Sequence, residues 1–308
     1  MHGVVYKSTG SWYSVRGDDG KVWDARVKGK LKIDEDISST NPIAVGDTVL
    51  FDVEDDQVKT GMITEVKDRH NYMVRVSPHN PNQKHIIAAN IDLALLITSI
   101  ADPRTSTGFI DRFLITAEAY HIPAVLVVNK MDLLKPKHFG ILQRWEEIYG
   151  QAGYKVYSVT TTDENSLREL KEYIKNKTTL FSGHSGVGKS TMINHIIPGI
   201  DIKTKVVSGW SGKGQHTTTF AEMFNLPGGG RIIDTPGVKE FGLIDFEKEE
   251  LSQYFPEMRR LMSNCKFNNC LHINEPGCAV KQGVIDKKVS EERYVSYVAI
   301  LDSIEKKW

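Results

Sequence analysis

The stretch that decides the fold is residues 183–190, Gly183-His184-Ser185-Gly186-Val187-Gly188-Lys189-Ser190. It matches G-x-x-x-x-G-K-[ST], in which the glycines let backbone N–H groups turn inward and form a nest for an anion. In such a loop the lysine reaches the β- and γ-phosphates of a nucleotide, and the final hydroxyl binds Mg²⁺. A β-rich run at 178–181 precedes the loop, and helical spacing at 190–197 follows it. The sequence therefore predicts a phosphate loop with Lys189 as a catalytic cation, Ser190 as a Mg²⁺ ligand and Thr191 beside the phosphates.

A second motif, Asn129-Lys130-Met131-Asp132, follows an apolar run at 124–128 and matches N-K-x-D. A carboxylate at a strand end accepts two hydrogen bonds from the N1–H and the exocyclic amine of guanine, and adenine lacks that donor pair. Asn129 and the stem of Lys130 would shape the base pocket. The alternative is a surface loop in which Asp132 only caps a helix. Beside a phosphate loop, the motif favours guanine recognition.

A third motif, residues 234–237, follows a run at 231–233 and reads as D-x-x-G. We expect Asp234 to hold Mg²⁺ through water and the N–H of Gly237 to sense the γ-phosphate. Between this motif and the phosphate loop lies a run of three threonines, of which Thr218 is expected to complete the Mg²⁺ shell. A run of threonines before a strand is otherwise explained by β-propensity alone.

The order of these motifs is unusual, because the guanine motif precedes the phosphate loop, whereas an ordinary Ras-like GTPase has it last. The sequence therefore predicts a circular permutation of the same parallel sheet. Ser158, Val159 and Thr160 follow another strand, 155–157, and are expected to form a loop that contacts the guanine O6 through backbone groups. The permutation also places the D-x-x-G motif directly before residues 241–308, so the nucleotide state can be passed to the C-terminal segment.

Residues 1–70 contain five short β-rich runs separated by turn signals, which favours a small closed barrel such as an OB-fold. An SH3-like barrel would fit almost as well. Four cations alternate with apolar residues there and would share one face of an extended strand; they are Arg26, Lys28, Lys30 and Lys32. They indicate either a stripe that binds an RNA backbone or a solvated strand face. Trp12, Tyr13 and Trp23 are interpreted as core residues rather than as platforms for bases.

All three cysteines lie within fourteen residues, in the pattern Cys265-x4-Cys270-x-His272-x5-Cys278. Four such ligands suit tetrahedral Zn²⁺ in a closed structural site, which leaves no open position for zinc chemistry. A disulfide is the alternative, but it needs an oxidising compartment and leaves one thiol over. The segment from 241 is otherwise mostly helical in pattern.

Composition narrows the class of protein without naming one. The 308 residues include 39 basic and 39 acidic side chains, with 40% hydrophobic and 25% charged residues, as in an ordinary globular protein. The most apolar run, 86–100, is too short to span a bilayer, and the N-terminus lacks the apolar core of a signal peptide. We therefore expect a cytoplasmic protein without a membrane partner. Zero net charge predicts no whole-chain attraction to nucleic acid.

The motifs, their permuted order, the 214–219 run and the Cys/His cluster together resemble the bacterial ribosome-small-subunit-dependent GTPases. The resemblance covers essentially the whole chain. It implies an α/β fold: a circularly permuted P-loop GTPase domain at 71–240, an N-terminal β-barrel of OB-fold type at 1–70 and a mostly α-helical zinc-binding module at 241–308. It also implies GTP hydrolysis stimulated by the small ribosomal subunit, a role in late maturation of that subunit, and rRNA contacts. We further expect a monomer that binds GTP and GDP.

The hydrolytic residue is the least obvious part of the site. Many GTPases place a water-orienting glutamine directly after D-x-x-G, but here that position is Val238. His216, in the run before the threonines, is the candidate, because a neutral imidazole can orient or accept a proton from water. The family resemblance points to the same residue. The alternative is an exposed loop histidine.

Two other functions remain open at this point. A small-molecule phosphotransferase would also carry a phosphate loop, but the guanine and D-x-x-G motifs argue against it. An RNA-binding structural protein with a vestigial nucleotide site is the second alternative, and the intact Lys189, Ser190 and Asp234 argue against that.

Overall fold

The structure is a computed structural model that describes residues 1–27, 29, 42–76, 84–202, 220–235 and 246–305. The first five strands form a closed barrel, in line with the OB-fold prediction; they are β1 (His2–Ser8), β2 (Tyr13–Gly17), β3 (Val22–Val27), β4 (Thr48–Asp55) and β5 (Thr60–Val66). Their order is β1-β2-β3-β5-β4, and β4 pairs back onto β1 to close the barrel. Only the β3–β5 pair among these runs parallel.

The barrel core contains two of the three aromatic residues that were predicted to lie in it. Trp23 and Tyr13 are buried and pack with Phe51 and Ile63, because alternate residues of each strand face inward. The core interpretation is therefore confirmed for these two aromatics. It is wrong for Trp12, which is 47% exposed because it lies in the turn before β2, outside the alternation.

A hairpin that the sequence reading did not predict follows the barrel. It pairs β6 (Tyr72–Val76) with β7 (Lys84–Ala89) in a separate antiparallel sheet. Asn71 joins this hairpin to the next strand, since its side chain both donates to the carbonyl of Ile91 and accepts from the N–H of Ile91, each across 2.8 Å.

The central sheet has six strands in the order β10-β9-β8-β11-β13-β12; they are β8 (Leu93–Thr98), β9 (Ala124–Val128), β10 (Lys155–Ser158), β11 (Thr178–Ser182), β12 (Glu222–Asn225) and β13 (Arg231–Asp234). All pairs are parallel except β12–β13. Strands β8 and β9 are almost wholly buried apolar runs, as expected of a parallel sheet covered on both faces, and β11 is buried after its first residue.

Four helices cover the two faces of this sheet. Helices α1 (Thr107–Ala119) and α2 (Pro136–Ala152) pack on one face, and α3 (Glu164–Ile174) and α4 (Lys189–Ile196) pack on the other. Because the carboxyl ends of parallel strands meet at one edge, the loops after β8, β9, β11 and β13 converge there. That edge carries the three nucleotide motifs.

The barrel and the central sheet are joined edge to edge. Strand β1 pairs with β12 at Lys7 and Glu222, whose side chains form an ion pair across 3.0 Å. Close by, the hydroxyl of Tyr6 donates to Asn225 Oδ1 across 2.7 Å. The result is a continuous sheet of eleven strands that runs from one module into the other.

The C-terminal segment is mostly helical, with α5 (Pro256–Met262), α6 (Ala279–Ile285) and α7 (Glu291–Glu305). It docks on α1 through a buried ionic cluster, in which Arg293 pairs with Asp111 of α1 and with Glu257 of α5, each across 2.7 Å. The boundary expected at 240/241 lies outside the described residues. Within those residues, no helix combines the length and the apolar character needed to cross a bilayer.

Candidate functional site

The phosphate loop lies where the sequence placed it, between β11 and α4. Its backbone leaves the sheet at Gly183, and Ser185 and Gly186 lie exposed at its tip. Ser190 and Thr191 occupy the first turn of α4 and are half-buried. The N-terminal end of this helix points its free N–H groups toward the concave side of the loop, where they favour an anion.

Two glycines of the loop are required by its surroundings. Gly183 has a φ of +151°, and a Cβ there would collide with the carbonyl oxygen of Ile97 in β8. Gly188 has a φ of +99°, and a Cβ there would collide with the side-chain amide of Asn129. The loop is therefore pressed against β8 and the guanine motif, with no space for side chains at these two positions.

The guanine motif is bonded directly to the phosphate loop. The Asn129 side chain is buried; its Nδ2 donates to the carbonyl of Val187 across 2.9 Å, and its Oδ1 accepts from the hydroxyl of Thr161 across 2.6 Å. One amide thus holds three loops together. The arrangement fixes the N-K-x-D motif relative to the phosphate loop.

The rest of the guanine motif turns outward from this anchor. Lys130 adopts a left-handed backbone with φ +66°, and its Nζ donates to the carbonyl of Asp102 across 2.6 Å. Met131 is half-buried and begins a single turn of 3₁₀ helix, Met131–Leu133, on which the Asp132 carboxylate is exposed. The carboxylate is therefore accessible to a base, as guanine recognition requires.

The loop after β10 lies beside this motif and is held by backbone bonds. The N–H of Val159 donates to the carbonyl of Val128 across 2.8 Å, and its carbonyl accepts from the N–H of Met131 across 3.2 Å. Val159 is buried, whereas Ser158 is exposed and its hydroxyl donates to Glu146 across 3.1 Å. The structure thus joins Val159 to the N-K-x-D motif through backbone bonds, and the contact of 158–159 with guanine stays a prediction.

Lys189 and Asp234 form the charged centre of the site. Both are buried, and the Nζ of Lys189 donates to the carbonyl of Gly183 across 3.4 Å. Burial raises the pKa of Asp234 to about 6, although the positive charge of Lys189 opposes this. Burial likewise lowers the pKa of Lys189, against the attraction of Asp234. Buried ionisable groups with such shifted pKa values are typical of functional sites.

Asp234 also has an unsatisfied oxygen. Its Oδ1 is buried and has no hydrogen-bond partner among the described residues. A buried carboxylate oxygen without a donor is costly. A water bound to a metal ion would supply the missing hydrogen bond to this atom. The donor set of Ser190 and Asp234 therefore suits the Mg²⁺ that accompanies a nucleotide.

Several predicted site residues lie outside the described part of the chain. These are His216, Thr218, Gly237, Lys28, Lys30 and Lys32. Of the cationic stripe, only Arg26 is described; it is exposed near the end of β3 and pairs with Glu54 across 3.1 Å. That ion pair partly neutralises Arg26 as a contact for RNA.

The Cys/His cluster forms a compact set of metal ligands. The ligand atoms of Cys265, Cys270, His272 and Cys278 all lie within 4.8 Å of one another, and the three thiols are free. Nδ1 of His272 faces the sulfurs, at 3.4 Å from Cys278 and 3.7 Å from Cys265. This spacing is that of ligands around one ion, which the disulfide alternative does not explain.

The surroundings of the cluster support a bound cation. Burial raises the pKa of the Cys270 thiol to about 12, so this thiol is protonated without a cation, and a bound metal ion would convert it to the thiolate. The N–H of Ala279 donates to the sulfur of Cys265, and the N–H of Lys281 donates to the sulfur of Cys278, which stabilises negative sulfur. Glu275 shapes the loop by accepting three backbone N–H bonds.

The sequence reading missed three contacts of the nucleotide site. The hydroxyl of Thr161 donates to the side chain of Asn129, and the carbonyl of Asp102 accepts a hydrogen bond from Lys130. The ring of Phe109 in α1 stacks on His184 of the phosphate loop with centroids 3.7 Å apart. Thr161 lies in a threonine run directly after Ser158 and Val159, which was an available signal. The other two contacts depend on how the β8–α1 loop folds back, and no local pattern encodes that.

Known proteins resemble the chain over nearly all of its length. The family described as RsgA GTPase matches residues 66–244, and that described as RsgA N-terminal domain matches residues 2–63. A protein of Flavobacterium psychrophilum named small ribosomal subunit biogenesis GTPase RsgA is 52% identical over 98% of this chain and 93% of the relative. One of the same name from Bacteroides fragilis is 46% identical over 99% of this chain and 97% of the relative.

Solved structures agree with these relatives. The crystal structure of YjeQ from Thermotoga maritima has a TM-score of 0.79 at 30% identity and covers 100% of this chain and 99% of that one. That of YloQ, described as a circularly permuted GTPase, has a TM-score of 0.75 at 31% identity and covers 100% and 96%. They confirm the predicted permuted GTPase fold, and the family match confirms the resemblance and the class of enzyme. The chain is therefore a member of the RsgA GTPase family.

Proposed function

We propose that the chain binds the small ribosomal subunit, assists its late maturation, and hydrolyses GTP in a reaction that the subunit stimulates. The observation that carries the proposal is the hydrogen bond from Asn129 to Val187, which joins a guanine motif to a phosphate loop at one sheet edge. The relatives named as small ribosomal subunit biogenesis GTPases supply the partner.

We assign the nucleotide contacts by position. Asp132 accepts from the guanine, while Asn129, the Lys130 stem, Met131, Ser158 and Val159 surround the base. Residues 183–191 hold the phosphates through backbone N–H groups, and Lys189 neutralises the charge that develops on the β–γ bridge. Mg²⁺, when bound with GTP, would be held by Ser190, Asp234 and Thr218 and would neutralise the same phosphates. Gly237 would report whether a γ-phosphate is present.

His216 is proposed as the residue that orients the attacking water. The supporting argument is chemical, since Val238 follows the D-x-x-G motif and has no polar group. An imidazole can accept a hydrogen bond from water near neutral pH, where it is largely uncharged. Intrinsic hydrolysis is then slow until a partner aligns His216 with the attacking water.

We propose that the Cys/His cluster binds one Zn²⁺ as a structural ion. Three thiolates and one imidazole, all drawn from one loop and the start of α6, match the ligand preference of zinc and leave no open position. The ion would fix the loop between α5 and α6. It would take no part in hydrolysis.

The remaining elements of the proposal concern the partner and the modules. We propose rRNA as the contacted component of the subunit, with Arg26, Lys28, Lys30 and Lys32 as a stripe of contacts on the barrel. The ion pair of Arg26 with Glu54 limits what that residue adds. The protein would act as a monomer in the cytoplasm, with modules at 1–70, 71–240 and 241–308.

The test measures GTP turnover with and without purified small ribosomal subunits. We expect subunits to raise turnover, and we expect His216→Ala to abolish most of that rise while GTP affinity survives. His121→Ala, at an exposed histidine outside the site, is the matched control. Turnover that subunits do not change would refute the proposed partner, and the absence of any turnover would favour an RNA-binding protein with a vestigial site.

A further inference from the structure

A second depression lies beside the nucleotide site, between the loop after β8 and the start of α2. It has a volume of about 520 Å³ and is open to solvent. Ile100 and Ile141 form an apolar floor, and Leu133 stands at its edge with 51% of its surface exposed. An aliphatic floor of this kind accepts the flat face of a ring.

The rim of this depression is cationic. Arg104, Lys135 and Lys137 are exposed around it, and Asp102 supplies the only carboxylate of its lining. Within the described part of the chain, none of the three cations forms an ion pair. Helix α2 begins at this rim with Pro136, so the positive end of a helix of 17 residues adds to the same field.

His138 adds a donor and an aromatic ring. Its Nδ1 accepts from the backbone N–H of Lys135 across 3.1 Å, so in the neutral imidazole the proton is on Nε2. Because Nδ1 is occupied by the backbone, Nε2 is left to donate to an incoming ligand. The depression thus combines apolar, aromatic and cationic groups within one cavity.

We propose that this depression binds an RNA segment, with a base on the apolar floor and His138, and with flanking phosphates on Arg104, Lys135 and Lys137. This combination of ring-binding and phosphate-binding groups is what single-stranded nucleic acid requires. An acidic peptide would satisfy the cations but would leave the apolar floor and the ring without a matching partner. The inference rests on the proposed function for the source of the RNA.

The site is distinct from the nucleotide site although it lies next to it. No residue of its lining belongs to the guanine motif or to the phosphate loop. The two are joined at Asp102, whose carbonyl accepts from Lys130, and at Leu133, which ends the 3₁₀ turn that carries Asp132. Removing the rim lysines should therefore leave GTP binding intact, and this property separates the two sites in an experiment.

The test uses the full chain with Lys135→Gln and Lys137→Gln combined. The matched control is Lys171→Gln with Lys175→Gln, which removes the same charge from α3 on the opposite face of the sheet. A Lys135→Arg, Lys137→Arg variant keeps the charge. Each protein is titrated with purified small subunits and with deproteinised small-subunit RNA, and GTP affinity confirms that each is folded.

We expect the rim variant to bind deproteinised RNA about tenfold more weakly. The slope of log K against the logarithm of the salt concentration should become less steep by about 1.4, because two phosphate contacts are lost. The subunit concentration for half-maximal stimulation should rise similarly. GTP affinity should not change, and the control and the arginine variant should bind RNA as the wild type does.

Equal RNA binding by the rim variant and the control overturns the inference, even where subunits stimulate turnover. A loss seen with subunits but not with deproteinised RNA also overturns it, in favour of an acidic protein surface. If subunits do not stimulate the wild type, the proposed function fails, and RNA binding still decides this site.

Discussion

The side-chain amide of Asn129 donates to the backbone carbonyl of Val187 across 2.9 Å, and this bond crosses from the guanine motif to the phosphate loop. The two residues are 58 positions apart and lie at the ends of β9 and of the loop after β11. Since both partners are buried, loss of the bond leaves an unsatisfied polar group and costs about 1–3 kcal/mol. The amide therefore sets the relative position of base and phosphates.

Thr161→Val should weaken guanine nucleotide binding without touching the nucleotide. The substitution removes the hydroxyl that donates to Asn129 Oδ1, so the amide loses the group that orients it. We expect the free energy of GDP binding to fall by about 1–3 kcal/mol, which calorimetric titration would measure. Thr161→Ser keeps the donor and should bind almost as the wild type does. A valine variant that binds GDP at full strength would contradict the positioning role.

Asp234→Asn should stabilise the nucleotide-free protein at neutral pH. Burial raises the pKa of this carboxyl to about 6 from its ordinary value of 3.8, so the folded chain holds the proton more tightly than the unfolded chain. The contribution of Asp234 to stability is then fully present below pH 4 and is lost as the pH rises through 6; it amounts to about 3 kcal/mol in all, of which about half is lost between pH 5 and pH 7.5. Urea unfolding at pH 5 and pH 7.5 without Mg²⁺ should show this slope, and the asparagine variant should lack it. Asp132→Asn, at an exposed carboxylate, is the control and should retain the slope.

The same pKa predicts how Mg²⁺-dependent binding responds to acid. The proposed Mg²⁺ site needs Asp234 ionised, so the contribution of Mg²⁺ to GTP affinity should decline as the pH falls below about 6. Binding measured with and without Mg²⁺ between pH 5 and 8 tests this. A Mg²⁺ contribution that stays constant across that range would place the metal elsewhere.

Arg293→Met should destabilise the protein far more than loss of an exposed arginine. It leaves Asp111 and Glu257 buried without their cation, which costs about 3–5 kcal/mol. Arg144→Met is the control, because its pair with Glu292 also joins α2 to α7 but is exposed and contributes below about 1 kcal/mol. Chemical unfolding of both variants gives the comparison. Equal losses would show that the buried cluster is not what fixes the C-terminal module on α1.

Cys278→Ser should remove the Zn²⁺ proposed for the Cys/His cluster. We expect the wild type to carry one zinc per chain by elemental analysis and the variant to carry much less, with a lower unfolding midpoint. Asn264→Ala, at an exposed neighbour of Cys265, should change neither value. A wild-type protein that is fully folded and contains no metal would refute the zinc proposal.

The sequence was most informative where local pattern and chemistry coincide. Apolar runs predicted β8 and β9, since each is covered on both faces, and the glycines of 183–188 predicted the loop between β11 and α4. The four ligands at 265–278 were also readable, because cysteine and histidine at such spacing have few other uses.

The remaining features depend on contacts between distant residues. The sequences of β6 and β7 show no clear alternation of polar and apolar residues, so the pattern did not predict these strands. The pairing of Arg293 with Asp111 spans 182 positions, and no local spacing encodes it. In the sequence, Lys135 and Lys137 look like exposed residues at the start of a helix. Only the fold shows that they line a depression together with Asp102.

The permuted order of the sheet also affects how the chain is made. Strand β11 lies between β8 and β13, yet it is synthesised after β8, β9 and β10. A nascent chain that has reached residue 177 can therefore complete its barrel and its base-recognition half while one edge of β8 still lacks a neighbour. Open strand edges are prone to pair with other chains. The strand that carries the phosphate loop is thus also the one that closes this edge, so folding of the centre is completed only as the catalytic elements emerge.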